Sequence, residues 1–296
     1  MPRIGRRAGR TTPSELVLIT LDFPEFLAIG HVAQDIGASF LTAGGTVTYG
    51  ALTALRLGLR PSIVTSAGPD FALCPSGIQV YTVPSDQTTT FRNDNVLGER
   101  TQHLESVAGP ISPGDIPPKW RRAPMVLLGP LTGEVDHELA RYFPNSLVVA
   151  SLQGWLRWWD PNGLVAAKAW EGLEVLPYVD AAVVSEKDFE DGRLVDLWAD
   201  IAVVLIVTMG HKGARLHTRG RWHEIAPFTA REVDPTGAGD VFAAAYLVRY
   251  SETEDPLESA RFAGAAASLS VEAPGISGVP TRTQVEARLV RGRQAI

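Results

Sequence analysis

The chain has a single cysteine, Cys74, among 296 residues. No internal disulfide can form, so a buried core has to stabilise the fold. Neither a signal-peptide pattern nor a long uninterrupted apolar segment is visible, so a cytoplasmic protein with no membrane partner is expected. Positive charge is not in excess either: 27 Lys and Arg stand against 33 Asp and Glu, a net charge of −6. A general nucleic-acid binder would show a clustered basic face, and no nucleic-acid partner is expected. The one basic run, Arg3, Arg6, Arg7 and Arg10, reads as a solvated terminus, and residues 1–25 as a partly disordered extension. No His cluster has metal-ligand spacing; His217 and His223 read as hairpin surface residues. The glycine-rich loop ending in Gly-Lys-Ser/Thr is missing, and so is a protein-kinase signature set.

What the chain does have is apolar material, 45% of its residues, enough for one domain with a large core. Apolar runs of strand length at Phe26–Gly30, Ser62–Ser66, Met125–Leu128, Leu147–Ser151, Ala181–Val184 and Val203–Thr208 alternate with helix-length segments. Such alternation predicts a mostly parallel sheet with helices on both faces, a three-layer α/β/α core. The middle departs from it. Ile78–Val83, Thr88–Asn95 and Glu99–Leu104 alternate polar and apolar with no helix between them, which predicts antiparallel hairpins standing off the main sheet. Pro110, Pro113, Pro117 and Pro118 then mark a linker back to the core. Pro256–Glu272 reads as a helix rich in Ala and Ser.

The most informative segment is Val233-Asp234-Pro235-Thr236-Gly237-Ala238-Gly239-Asp240, which runs straight into an apolar helix. Pro235 forbids helix before it and Thr236 is a suitable N-cap. Gly237, Ala238 and Gly239 leave backbone N–H groups unobstructed at the positive end of a helix dipole, a physical recipe for holding an anion. Asp240 has two readings. A first-turn carboxylate favours the helix by itself; placed beside an anion cradle it can also act as a general base, without needing a raised pKa. A dinucleotide fingerprint is excluded because Phe242 stands where Gly or Ala is required.

The Asp-Pro-Thr-Gly-Ala-Gly-Asp run resembles the C-terminal signature of the ribokinase-like (PfkB) family of carbohydrate and nucleoside kinases. Gly30-His31-Val32-Ala33-Gln34-Asp35 and Ala43-Gly44-Gly45-Thr46 resemble its N-terminal pattern, Val207-Thr208-Met209-Gly210-His211-Lys212-Gly213 its nucleotide-side loop, and Ser185-Glu186-Lys187-Asp188 its Asn-x-x-Glu motif with Ser and Asp substituted. The resemblance spans about Phe26 to Pro280 and implies a kinase domain over 26–296. Its β lid would come mainly from about 33–45 and 78–107.

The resemblance implies several roles. Asp35, Gly44, Gly45 and Tyr49 would face a hydroxyl-bearing acceptor, and Tyr49 in place of an Asn puts ribose in doubt. Thr208, Gly210, Lys212, Thr236, Gly237, Gly239, Ala267 and Ser270 would face ATP. Asp188 would hold Mg²⁺ through water, and the loop 273–280 could supply carbonyls to a monovalent cation. Gln153 and Arg157, in a Gln-Gly-x-x-Arg run similar to a branch that includes myo-inositol kinases, either reach the acceptor or pack among Trp155, Trp158 and Trp159. An exposed lid edge offers a surface for a homodimer. Another class stays open: a non-catalytic sugar or nucleotide sensor on the same scaffold, favoured by the changes at Ser185 and Asp188 and opposed by Asp240.

Overall fold

A computed structural model describes residues 23–36, 41–71, 75–96 and 99–294. Cys74, the arginine-rich start and residues 37–40 of the expected lid lie outside them. In chain order the elements are β1 (Phe26–Ile29), β2 (Ala33–Ile36), β3 (Leu41–Gly44), α1 (Thr46–Arg56), β4 (Pro61–Ala67), β5 (Gln79–Pro84), β6 (Thr89–Val96), β7 (Glu99–Ser106), β8 (Met125–Leu128), β9 (Leu147–Ser151), β10 (Arg157–Trp159) and β11 (Val165–Ala167). There follow β12 (Ala181–Ser185), α2 (Arg193–Ile201), β13 (Val204–Thr208), β14 (Ala214–Thr218), β15 (Arg221–Ile225), α3 (Ala238–Thr253), α4 (Pro256–Ser270) and α5 (Arg282–Gln294).

The apolar strand runs do what continuous burial requires. They form a sheet in the order β15-β14-β13-β12-β9-β8-β1-β4-β5, parallel from β13 to β5, with the antiparallel β14–β15 hairpin at one edge. Side chains pointing one way along β1, Phe26 and Ala28, pack with α1, α3 and α4; those pointing the other way, Leu27 and Ile29, enter a second apolar layer. At about 1.5–3 kcal/mol per fully buried large apolar side chain, both layers are needed to hold the sheet.

The second layer is built differently from the first. It holds one α-helix, α2, and otherwise short 3₁₀ turns. The proline-rich segment read as a linker is part of it: Ile111, Ile116 and Trp120 are buried against the sheet. Prolines spaced this closely forbid a long helix but allow single turns, and single turns suffice to bring each apolar side chain down.

The lid is a separate sheet, β3-β2-β6-β7, with a small core of Ala33, Phe91 and Leu104 closed by Leu131 from the body. One expected lid strand is not in it. β5 lies parallel to β4 at the edge of the main sheet. An edge strand with one wet face alternates polar and apolar as a lid strand does, so the pattern alone did not separate them. The outer edge of β7 is partly covered within the chain, Leu104 N–H donating to the Gly163 carbonyl at 2.8 Å.

Candidate active site

Two helix N-termini meet under the lid. α1 begins at Thr46 after Gly45, whose φ of 92° and position 2.6 Å from the His31 carbonyl, measured from where a Cβ would stand, admit only glycine comfortably. α3 begins at Ala238 after Gly237, at φ 77°. The Thr46 hydroxyl donates to Asp240 Oδ1 at 2.7 Å, joining the first turns of the two helices. Thr46 is fully buried. Nothing in its local sequence marks it as a partner of a residue 194 positions away.

Thr236 is not the cap. Gly237 holds the N-cap position in left-handed conformation with no side-chain cap, and the Thr236 amide donates instead to Asp234 Oδ1 at 2.9 Å. Asp234 Oδ2 accepts from the Gly275 amide at 2.8 Å, so this carboxylate ties the glycine turn to the loop after α4. The Ala238 amide turns back to the Pro235 carbonyl over a long 3.3 Å. Gly239 is exposed and nothing lies within 4 Å of where its Cβ would be. Its amide, in the first turn, has no helical carbonyl behind it. The cradle is therefore open at Gly239 and supported at Gly237.

That support is Tyr49, which corrects its expected role. Its ring is 2% exposed and lies 2.3 Å from where a Cβ on Gly237 would stand. It props the turn from inside and presents no face to an acceptor. Ser270 is likewise displaced from its expected role: it is 2% exposed and its hydroxyl donates to the Ala267 carbonyl. Helix packing uses it, and Ala267 beside it is half-buried.

Asp240 has a raised pKa, contrary to the expectation from the helix dipole. Burial pushes it from 3.8 up to about 6; the Thr46 hydrogen bond and the Arg157 charge pull it down, and the charges of Asp188 and Asp35 push it up. Desolvation outweighs the dipole here. The same interactions place Asp35, Asp188 and Arg157 within electrostatic reach of Asp240, although their segments are far apart in sequence.

A chain of hydrogen bonds lines the lid side. Asn93 Nδ2 donates to Asp35 Oδ1 at 3.0 Å, Gln102 Nε2 to Asn93 Oδ1 at 2.9 Å, and Arg157 Nη2 to Gln102 Oε1 at 3.1 Å. Gly44 faces Asp35 so closely that a Cβ there would stand 2.2 Å from Oδ2. Arg157 also reaches the Leu131 carbonyl at 3.5 Å and lies over the Phe91 ring. Trp155 is the buried tryptophan of its run, stacked on Trp170, while Trp158 and Trp159 stay exposed on the β10–β11 hairpin. Asn93 and Gln102 were not picked out from the sequence; their pairing across β6 and β7 is set by register.

At the ends of β12 and β13 the remaining residues gather. Asp188 Oδ1 accepts from Gln153 Nε2 at 3.2 Å and Oδ2 from the Ser185 amide at 2.9 Å. Thr208 donates to the Val184 carbonyl at 3.3 Å, Gly210 turns at φ 56°, and Lys212 Nζ pairs with Glu186 at 3.3 Å on the surface. Among the described residues no group of three or more His, Cys, Asp or Glu could hold a metal ion directly. Three carboxylates sharing the field of one guanidinium nevertheless fit a hydrated divalent cation, which needs few protein ligands. No described helix is long and apolar enough to cross a membrane.

Residues 165–282 match the pfkB family carbohydrate kinase description. The chain carries a PfkB-family domain. An inositol 3-kinase of Oryza sativa subsp. japonica is 28% identical over 88% of this chain and 71% of its own length. A pyrophosphate-dependent kinase in the ribokinase family superposes with a TM-score of 0.74 at 24% identity, covering 89% of this chain and 99% of that one. Arabidopsis thaliana ribokinase complexed with ribose and ATP gives 0.67 at 20%, covering 90% and 99%. These likenesses show that the chain has the ribokinase fold. The match spans 39%, 28% and 40% of the length of the first curated relatives.

Proposed function

We propose that the protein is a small-molecule kinase. It transfers a terminal phosphoryl group from ATP to a hydroxyl of a sugar, cyclic polyol or nucleoside. The observation that carries this reading is the 2.7 Å bond from Thr46 to Asp240 at the meeting point of two helix N-termini, beside an open glycine turn.

Asp240 takes the proton from the acceptor hydroxyl, and its pKa of about 6 suits a base working near neutrality. The hydroxyl oxygen then attacks the terminal phosphorus of the donor, the bond to the leaving oxygen breaks, and the Gly237–Gly239 turn, open at the Gly239 amide, balances the charge on the transferred group once the long Ala238 bond to Pro235 is given up. Thr46 fixes the orientation of the carboxylate. Thr208, Gly210, Lys212 and Thr236 line the donor side. Asp188 would hold Mg²⁺ through water, and the ion would supply neutralisation of donor phosphate charge. The lid excludes water that would otherwise hydrolyse the donor.

Phosphotransfer with Mg²⁺-ATP across myo-inositol, pentoses, hexoses and nucleosides tests the reading against Asp240→Asn, for which turnover should fall by at least about a hundredfold. Binding of these ligands without turnover would favour the sensor alternative. A second donor, pyrophosphate, belongs in the same assay. The buried Ser270 hydroxyl and the Arg288 side chain, which spans the Thr229 carbonyl, Ser268 and Glu272, leave the α4 end occupied by the protein's own groups, and a donor without a base would not need that space. The pyrophosphate-dependent structural neighbour supports including it.

A further inference from the structure

Glu134 is a buried carboxylate to which the proposed chemistry gives no task. Its oxygens collect donors from two loops. Oε1 accepts from the His31 amide at 2.7 Å, in the connection from β1 to β2, and from the Leu131 amide at 3.1 Å. Oε2 accepts from the Leu131 and Thr132 amides at 2.9 and 2.8 Å and from the Thr132 hydroxyl at 3.1 Å, in the loop after β8. Each of these partners donates, so the place suits a group that accepts through both oxygens, and hydrogen bonds to a carboxylate are the strong ones. The start of α1 rests on the same two loops. A Cβ on Gly45 would stand 2.6 Å from the His31 carbonyl and 3.1 Å from Leu131 Cδ1, and one on Gly129 would stand 2.6 Å from Thr46 Cγ2. Contacts this close transmit displacement.

We infer that Glu134 is a positioning residue: by locking the two loops together it holds Thr46 where its hydroxyl orients the Asp240 carboxylate. The direction of the effect separates this role from a mere change of charge. Burial and the charges of Asp188 and Asp35 raise the Asp240 pKa, while the Thr46 bond and the Arg157 charge lower it. Loosening Thr46 raises it further, whereas deleting a negative charge from the surroundings lowers it. A rise on replacing Glu134 with a neutral residue therefore reports position. The inference rests on the kinase reading for its turnover arm and not for its titration arm.

The test compares the full chain with Glu134→Gln, Glu134→Asp, Thr46→Val and the double variant Glu134→Gln/Thr46→Val, with thermal unfolding as the check on folding. Gln turns an N–H₂ arm toward groups that themselves donate. With Mg²⁺-ATP and whichever of myo-inositol, pentoses, hexoses and nucleosides the wild type phosphorylates, Glu134→Gln should lower kcat about five- to tenfold, the effect of one misplaced hydrogen bond, at nearly unchanged KM. Its acid limb should move to higher pH. Added to Thr46→Val, it should lower kcat by less than about a further twofold, because the path is already cut. Glu134→Asp keeps both oxygens but reaches one methylene less and should lie between; if Glu134→Gln does not fold, Glu134→Asp carries the same comparisons. The titration arm needs no turnover: Asp240→Asn is introduced into each background, and the pH at which its gain in urea midpoint sets in reads the Asp240 pKa. An unmoved titration in folded variants, a move to lower pH, or an equal loss of kcat with and without Thr46 overturns the inference. Failure of both Glu134 variants to fold assigns the residue to the fold alone and overturns it too. A titration moved upward in a chain that transfers no phosphate supports the inference while overturning the kinase reading.

Discussion

Replacing Asp240 with Asn should stabilise the protein at neutral pH even as it removes the base. A carboxyl whose pKa rises from 3.8 to about 6 on folding holds its proton more tightly in the native state. Between those two values the native state binds more protons than the unfolded one, so stability falls as pH rises through the window. The full shift corresponds to about 3 kcal/mol at about 1.4 kcal/mol per unit. Screening by the open cleft reduces this to about 1–2 kcal/mol. Asn keeps a carbonyl oxygen for the Thr46 hydroxyl but carries no charge to desolvate. Its gain should therefore be complete above about pH 6 and absent below about pH 4. Urea unfolding followed by tryptophan fluorescence across that range measures it, as a shift in midpoint at constant m. Turnover of the wild type should show the same group as an acid limb centred near pH 6. A flat stability difference between the two proteins across this range, or an Asn variant less stable at neutral pH, would refute the claim that the fold holds this carboxyl under strain.

Gly237→Ala should destabilise by about 2–5 kcal/mol, from the left-handed φ of 77° and the new methyl driven into the buried Tyr49 ring; a loss under about 1 kcal/mol in urea unfolding would mean the ring gives way. His31→Ala should cost about 2–4 kcal/mol by leaving a cavity and breaking the ring's bonds to Thr89 and the Gly109 carbonyl, with limited proteolysis showing earlier cleavage in the lid. Lys212→Met should move stability by less than about 0.5 kcal/mol, since its pair with Glu186 is exposed. Its donor KM should nonetheless rise several-fold; an unchanged donor KM would remove Lys212 from the donor site.

Much of the fold was legible because buried parallel strands announce themselves as short apolar runs, and β1, β8, β9 and β12 did so. β5 was not, because a sheet edge and a lid edge share one pattern. Within the site, the glycines and Asp240 were legible since their chemistry is local: a turn, a helix start, a carboxylate. Thr46, Asn93 and Gln102 were not, for their partners are set by how α1 meets α3 and by the register of β6 against β7. Tyr49 and Ser270 were assigned to ligands because burial cannot be read from a motif position. The Asp240 pKa was misjudged for a related reason: the dipole is a property of one helix, whereas burial and the Asp35 and Asp188 charges depend on how other segments pack around it.

His31 sits where the lid's outgoing and returning strands cross the body. One ring nitrogen engages Thr89, at the start of β6, and the other the carbonyl of Gly109, just past the end of β7, while its backbone N–H is held by the buried Glu134. One rigid ring thus bridges both legs of the flap. The two legs are thereby tied to each other as well as to the body, while the ladder between β6 and β7 keeps Asn93 opposite Gln102.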